Sequence, residues 1–223
     1  GLVGSEMCIR DRPLRVRGHD RTMVLMSDFD TSGRAARRIP EPTPAPPRGM
    51  ELPEPVARMH RWVETPLGRM VVAVGPHDGR PAITGCWFED QKHFPDDETL
   101  GMEGDHALLS EAQEQLEDWY AGRRRGFDLP LALDDRPQPL RPRVWKALQE
   151  IPFGTTTTYG ALAQQLGNPG MAQAVGQGVG RNPWSVIVPC HRVLSSTGVL
   201  TGYAGGIERK QELLEMESRR TAR

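Results

Sequence analysis

The chain has 223 residues, 37 % of them hydrophobic and 26 % charged, with a formal net charge of −1. That length accommodates one large domain or two small ones, and the near-neutral whole does not advertise a nucleic-acid binder. No apolar run approaches membrane-spanning length and no secretory signal is evident, while three widely spaced cysteines without a Cys-x-x-Cys pair argue against a disulfide scaffold or zinc ribbon and fit a reducing cytosol.

Residues 1–12, Gly1-Leu2-Val3-Gly4-Ser5-Glu6-Met7-Cys8-Ile9-Arg10-Asp11-Arg12, read as a translated sequencing adapter and are set aside, Cys8 with them. The rest of a lead spanning 1–57 carries Pro40, Pro42, Pro44, Pro46, Pro47, Pro53 and Pro55 among arginines and small residues. Such a segment buries too little apolar surface to offset its ordering entropy, so a disordered lead is expected.

From Arg58 the pattern is that of strands: Met59 to Val63, then Met70 to Val74 after a break at Pro66-Leu67-Gly68, then Ile83 to Phe88 after a Pro76–Pro81 turn. Leu108, Leu109, Ala112, Leu116, Trp119 and Tyr120 recur at helical spacing and stop near Gly122. This predicts a small α+β domain over 58–135 with no catalytic constellation of its own. Cys86, His93 and His106 match no closed ligand set, so no metal is expected there.

Pro137, Pro139 and Pro142 mark a link to a second domain, 136–219, with helical spacing at Val144, Trp145, Leu148 and Ile151, stopped by Pro152-Phe153-Gly154. Two short helices, Tyr159–Gly167 and Met171–Gly180, flank an Asn168-Pro169 turn and predict a helix-turn-helix. Gly170, Gly176, Gly178 and Gly180 weaken the second helix, a cost that makes sense if its backbone approaches something closely. Between Ile151 and Gly180 there is no Asp, Glu, Lys or Arg, unusual for a DNA-binding face, although hydroxyls and backbone N–H groups also contact phosphates. From Arg136 onward 11 Lys and Arg stand against 5 Asp and Glu, an asymmetry that permits DNA binding.

A short run, Val186-Ile187-Val188, predicts a buried strand ending at Pro189, with Cys190 and His191 next. The thiolate is the reactive form of cysteine, so a chemical role needs a base or positive field, which His191 can supply. By itself such a pair is as readily a space-filling core cysteine. An amphipathic helix from Ile207 to Met216 ends the pattern.

The context changes that balance. Asn182-Pro183-Trp184-Ser185-Val186-Ile187-Val188-Pro189-Cys190-His191-Arg192-Val193, followed by Gly202-Tyr203-Ala204-Gly205-Gly206, closely resembles the O6-alkylguanine-DNA alkyltransferases, repair proteins that take an alkyl group from guanine onto their own cysteine and are thereby inactivated. The resemblance covers roughly 58–217 and is strongest from Val144 onward. It implies an α+β fold: a small N-terminal mixed α/β-sheet domain, then a mostly helical C-terminal domain with a winged helix-turn-helix. It implies a cytoplasmic monomer whose partner is double-stranded DNA carrying O6-alkylguanine, and no cofactor.

The resemblance also assigns roles. Cys190 is the nucleophile; His191 takes its proton through a water; Glu217 orients the imidazole; Asn182 is a hinge tying the recognition helix to the cysteine. Tyr159 helps turn the nucleotide out and donates toward the base, an aromatic ring offsetting part of the unstacking cost. Tyr203, Ala204, Val193 and Val179 form the pocket, Ala204 standing where many relatives have serine. Ala172 and Gln173 lie on the helix that enters the minor groove, and Gln173 occupies the place of an arginine that fills the gap left by the flipped base. Two other readings compete: a non-catalytic module that binds alkylated DNA, against which Cys190 argues, and a cysteine hydrolase, for which no oxyanion-hole motif is found.

Overall fold

An Asp-Gly pair sets the first hairpin. Asp78 (φ 48°) and Gly79 (φ 75°) form a two-residue turn with both φ positive, the geometry that matches the twist of its flanking strands. It joins β2 (Met70–His77) to β3 (Arg80–Phe88), so the Pro76–Pro81 stretch expected as a turn is mostly strand, Pro76 lying opposite Pro81. β1 (Met59–Val63) reaches only as far as Val74 on β2, which leaves Pro76 beyond the ladder's second side, where a missing N–H costs nothing. The computed structural model describes residues 57–133 and 139–221, and the expectations for residues 1–56, adapter-like segment and proline-rich lead alike, lie outside them.

α1 (Asp97–Leu100) is capped by the Asp96 carboxylate and followed by a two-residue strand, β4 (Met102–Glu103), parallel to β1. The sheet order is β3-β2-β1-β4. Met70 to Val74 are all fully buried because both faces of β2 are covered. Val72 and Val74 face α2 (Ala107–Tyr120) through Leu109, Ala112, Leu116 and Trp119, whereas Val71 and Ala73 pack on Trp87 and Leu100. Of the residues weighed for a metal, Cys86 is buried in β3, His93 is exposed, and His106 caps α2, its Nδ1 accepting from Leu108 N–H.

The remaining elements are α3 (Leu140–Gln149), β5 (Thr157–Thr158), α4 (Tyr159–Gln165), α5 (Ala172–Gly180), β6 (Val193–Leu194, parallel to β5) and α6 (Ile207–Thr221). α4 and α5 are the helix-turn-helix. Thr158 caps α4 by accepting from Ala161 N–H, and Asn168 opens a turn of 3-10 helix, Pro169–Met171, by accepting from Gly170 N–H. The close approach that Gly178 permits is to α3: a Cβ there would lie 3.2 Å from a Val144 methyl, and Trp145 Nε1 donates to Gly178 O at 3.0 Å. At this position the glycine serves packing within the protein.

The outer edge of β3 is occupied twice. Ile83 pairs with Leu131, and Cys86 pairs with Trp184 through Cys86 N–H to Pro183 O and Ser185 N–H to Cys86 O, both 2.8 Å. Sheet and helices thereby share one apolar core running from β2 through α2 to α3 and α5. α6 continues five residues past the expected Met216 because Arg220 donates to Trp119 O and Tyr120 O at the C-terminal end of α2, a favourable place for a cation. Among the described residues no helix is long and apolar enough to cross a membrane.

Candidate active site

The segment expected as a strand is a coil wound around one amide. Asn182 Nδ2 lies within bonding distance of Trp184 O (3.2 Å), Val188 O (2.9 Å) and Cys190 Sγ (3.1 Å), while Asn182 Oδ1 accepts from Trp184 N–H. Val186, Ile187 and Val188 are buried, as a strand's residues would be, but Ile187 N–H turns back to Ser185 O and Val188 N–H to Trp184 O. Val186 has φ 71°, a left-handed conformation that is a true outlier for a β-branched residue. Cys190 therefore opens a 3-10 turn, Cys190–Arg192, instead of ending a strand.

Cys190 is 5 % exposed. Burial pushes its thiol up; the Asn182 amide, the Lys210 ammonium and backbone N–H groups pull the other way without prevailing. At rest the sulfur is a neutral thiol.

His191 is fully buried, and burial holds its imidazole below the ordinary range although Glu217 favours the charged form. Its Nε2 lies 2.9 Å from Glu217 Oε1. Burial pushes the Glu217 carboxyl up, but bonds from His191 and Arg192 overcome this and set it at about 2. An ionised carboxylate only accepts, so Nε2 carries the proton and Nδ1 presents a lone pair. Nδ1 is buried and meets no partner among the described residues. Glu217 also takes Arg192 Nη2 at 2.8 Å, Arg192 Nε at 3.0 Å and Gly154 N–H at 3.0 Å. Arg192 continues to Ile151 O and lies over the Phe153 ring.

On α6 the inward stripe is Lys210, Leu213 and Glu217. Lys210 is fully buried and donates to Val193 O (2.6 Å) and Thr201 O (2.8 Å), tying β6 to the loop before α6. Burial lowers its ammonium to about 8, and Cys190 works against that shift. Sequence reasoning passed over Lys210. The signal was two charged residues on the buried phase of an amphipathic helix, where an unpaired charge is costly.

Nearby lies a cavity of about 660 Å³, lined by Tyr159, Gly176, Gln177 and Thr201 to Ala204 among others; Cys190 is not part of its lining but lies close enough to Tyr159 and Tyr203 to act on both phenols. Tyr159 Oη reaches Thr201 O and Gly202 O at 3.4 and 3.5 Å. Tyr203 Oη is buried; among the described residues Ser185 lies near it, but no group meets it in hydrogen-bond geometry. Burial, reinforced by nearby Cys190, raises both phenols, so both stay protonated. Of the residues assigned by resemblance, Tyr159, Tyr203 and Ala204 line the cavity, whereas Val179 and Val193 are buried and do not. Gln173 is exposed and Ala172 half-buried on α5. Gln173, Gly176, Gln177 and Gly180 form one stripe at i, i+3, i+4, i+7, with Gly176 leaving room for the Tyr159 ring.

A buried thiol next to a histidine–carboxylate pair, close to a cavity flanked by a helix-turn-helix, equips a protein for chemistry at a cysteine. Residues 139–219 match the family model described as 6-O-methylguanine DNA methyltransferase, DNA binding domain. Over 161 residues, 72 % of this chain and 92 % of the relative, the sequence is 42 % identical to the methylated-DNA–protein-cysteine methyltransferase of Mycolicibacterium paratuberculosis. The constitutive counterpart of Bacillus subtilis is 37 % identical over 158 residues, 69 % of this chain and 92 % of that protein. The crystal structure of Mycobacterium tuberculosis OGT in complex with DNA is similar with a TM-score of 0.64 at 40 % identity, covering 73 % of this chain and 94 % of that one. The chain belongs to the methylated-DNA–protein-cysteine methyltransferase family.

Proposed function

We propose that this protein repairs O6-alkylguanine in double-stranded DNA by moving the alkyl group onto Cys190 Sγ, once per molecule. The observation that carries the reading is that the buried residue next to Cys190, still a thiol, is His191, whose Nε2–H is committed to Glu217 and whose Nδ1 is free to accept. The thiol proton passes to Nδ1 through a bridging water, and the buried Glu217 charge, held by Arg192 and Gly154 N–H, stabilises the imidazolium. Sγ attacks the alkyl carbon, the carbon–O6 bond breaks with its electron pair staying on the guanine, and a proton returns to the base. The balance is one thiol proton exchanged for one alkyl group, with no external reductant, metal or second cofactor needed.

The base reaches Sγ only if it leaves the stack, and the cavity bordered by Tyr159 and Tyr203 receives it. The Tyr159 phenol is protonated and so can donate to the purine, while Tyr203 offers its ring. The exposed stripe of α5, with Ala172 and Gln173 at its N-terminal end, lies along the groove, where small residues allow close approach. In this reading 136–219 carries the chemistry, 58–135 supports it, and the protein acts as a cytoplasmic monomer.

Incubation with one equivalent of duplex containing a single O6-methylguanine, followed by intact mass, tests the proposal. A permanent gain of one methyl group is the expected result. A protein that binds the duplex and gains nothing is the non-catalytic module; one that neither binds nor gains is neither.

A further inference from the structure

The helix-turn-helix has no cationic side chain between Ile151 and Gly180, yet duplex affinity comes largely from neutralising phosphates. Compensating charge is concentrated in one place. The cavity of about 660 Å³ and a second of about 260 Å³ share Lys92, His93, Arg141 and Arg181 along their common rim. These residues come from separate parts of the chain: the loop after β3, the first turn of α3, and the residue that follows α5.

Three features distinguish the rim from ordinary surface charge. Lys92, Arg141 and Arg181 are all exposed, and among the described residues no carboxylate or hydrogen-bond partner holds any of their side chains. Other arginines are tied down: Arg61 to Asp105, Arg209 to Asp90, Arg192 to Glu217. The rim is also held in place. Lys92 N–H donates to Ala204 O at 2.8 Å, which fixes the loop after β3 to the loop that lines the cavity, and the next residue, His93, sits in a left-handed conformation (φ 65°). Finally, two of the cations converge on one group: besides slight burial, Arg181 and Lys92 both disfavour protonation of His93. Arg141 stands in the first turn of α3, where no acid and no side-chain cap offset the positive end of the helix dipole.

We infer that Lys92, Arg141 and Arg181 form a phosphate clamp for the DNA strand that bears the damaged base. The inference rests on the proposed DNA-repair reading. Arg181 lies eight residues beyond Gln173, roughly 12 Å along the α5 axis. The clamp therefore grips the backbone at the far end of α5 from the residue beside the flipped base, and it supplies the charge that the helix-turn-helix lacks.

The test compares wild-type protein with Lys92→Gln/Arg141→Gln/Arg181→Gln and with the charge-keeping Lys92→Arg/Arg141→Lys/Arg181→Lys. Fluorescence anisotropy on a lesion-containing duplex gives Kd across a series of salt concentrations, and the melting temperature monitors folding. The account expects the slope of log Kd against log salt to become shallower by about one unit per lost cation, near three in the neutral variant. The charge-keeping variant should retain the wild-type slope, and all three proteins should melt alike because these exposed side chains hold no partner. An unchanged slope in the neutral variant overturns the clamp. A second arm replaces the phosphates flanking the lesion by neutral methylphosphonates, one strand at a time. Wild-type affinity should fall for the lesion strand, and the neutral variant should be indifferent; a loss confined to the opposite strand overturns the strand assignment. Methyl transfer by wild-type protein is scored separately, so a protein with the expected slopes but no transfer refutes the repair reading and retains the clamp.

Discussion

Asn182 Nδ2 stands 3.1 Å from Cys190 Sγ and 2.9 Å from Val188 O, so one buried amide both folds the segment before the cysteine and touches its sulfur. The left-handed Val186 lies inside the coil that this amide holds together. Asn182→Ala should leave buried carbonyls unsatisfied, at a cost of about 1–3 kcal/mol each. It should also free the segment to relax, slowing methyl transfer at least tenfold. Urea denaturation and single-turnover kinetics check the two parts. A stable variant with an undiminished rate would show that the amide matters to neither.

Glu217 makes a prediction about acid. Its folded value, about 2, lies below the ordinary 4.5. Its bonds therefore stabilise the protein fully above pH 4.5, and that stability drains away as pH falls toward 2. Glu217→Gln should remove this portion of the acid sensitivity. At pH 7 it should also lower stability by about 3–5 kcal/mol, since it leaves Arg192 buried without its counter-charge. Urea midpoints measured from pH 2 to 7 check both. Parallel profiles for wild type and variant would contradict the assignment of the charge to Glu217.

The two described cysteines should differ in reactivity. Burial pushes both thiols up; for Cys86 nothing opposes it, whereas Asn182 and Lys210 oppose it at Cys190. In a Cys8→Ser background, iodoacetamide should label Cys190 slowly at pH 7, faster as pH rises past 9, and Cys86 only after denaturation. A plateau near neutrality would mean that Cys190 rests as a thiolate, and that His191 is not required to generate it.

Much of this architecture was legible in the sequence, and the misses share a cause. Val72 and Trp119 announce themselves by spacing, because strand and helix periodicities depend on near neighbours. Val186–Val188 reads as a strand by the same rule, but its conformation is set by the Asn182 side chain and by pairing of Pro183 and Ser185 with Cys86, almost a hundred residues away. Taken by itself Glu217 is one more acid on an amphipathic helix; its shared phase with Leu213 and Lys210 hints that it faces inward, but only the tertiary fold supplies the partners, His191 and Arg192. The glycines of α5 hint at a close approach without naming the partner, which for Gly178 is Val144.

Gln173 allows a gain-of-function test. It is exposed on α5 and carries no charge. Gln173→Arg adds a cation near two phosphate backbones and a planar group that can stack. Duplex binding should tighten and its salt slope steepen by about one unit. Salt-dependent anisotropy checks this, and an unchanged slope would mean that residue 173 does not face the DNA.

The central claim is that Cys190, and no other cysteine, accepts the alkyl group once. Tandem mass spectrometry of the digested protein, after titration with increasing O6-methylguanine duplex, tests it directly. The account predicts methylation at Cys190 alone, saturating at one group per chain, and none in Cys190→Ser. Methyl groups on Cys86, continued transfer by Cys190→Ser, or turnover beyond one equivalent would contradict it.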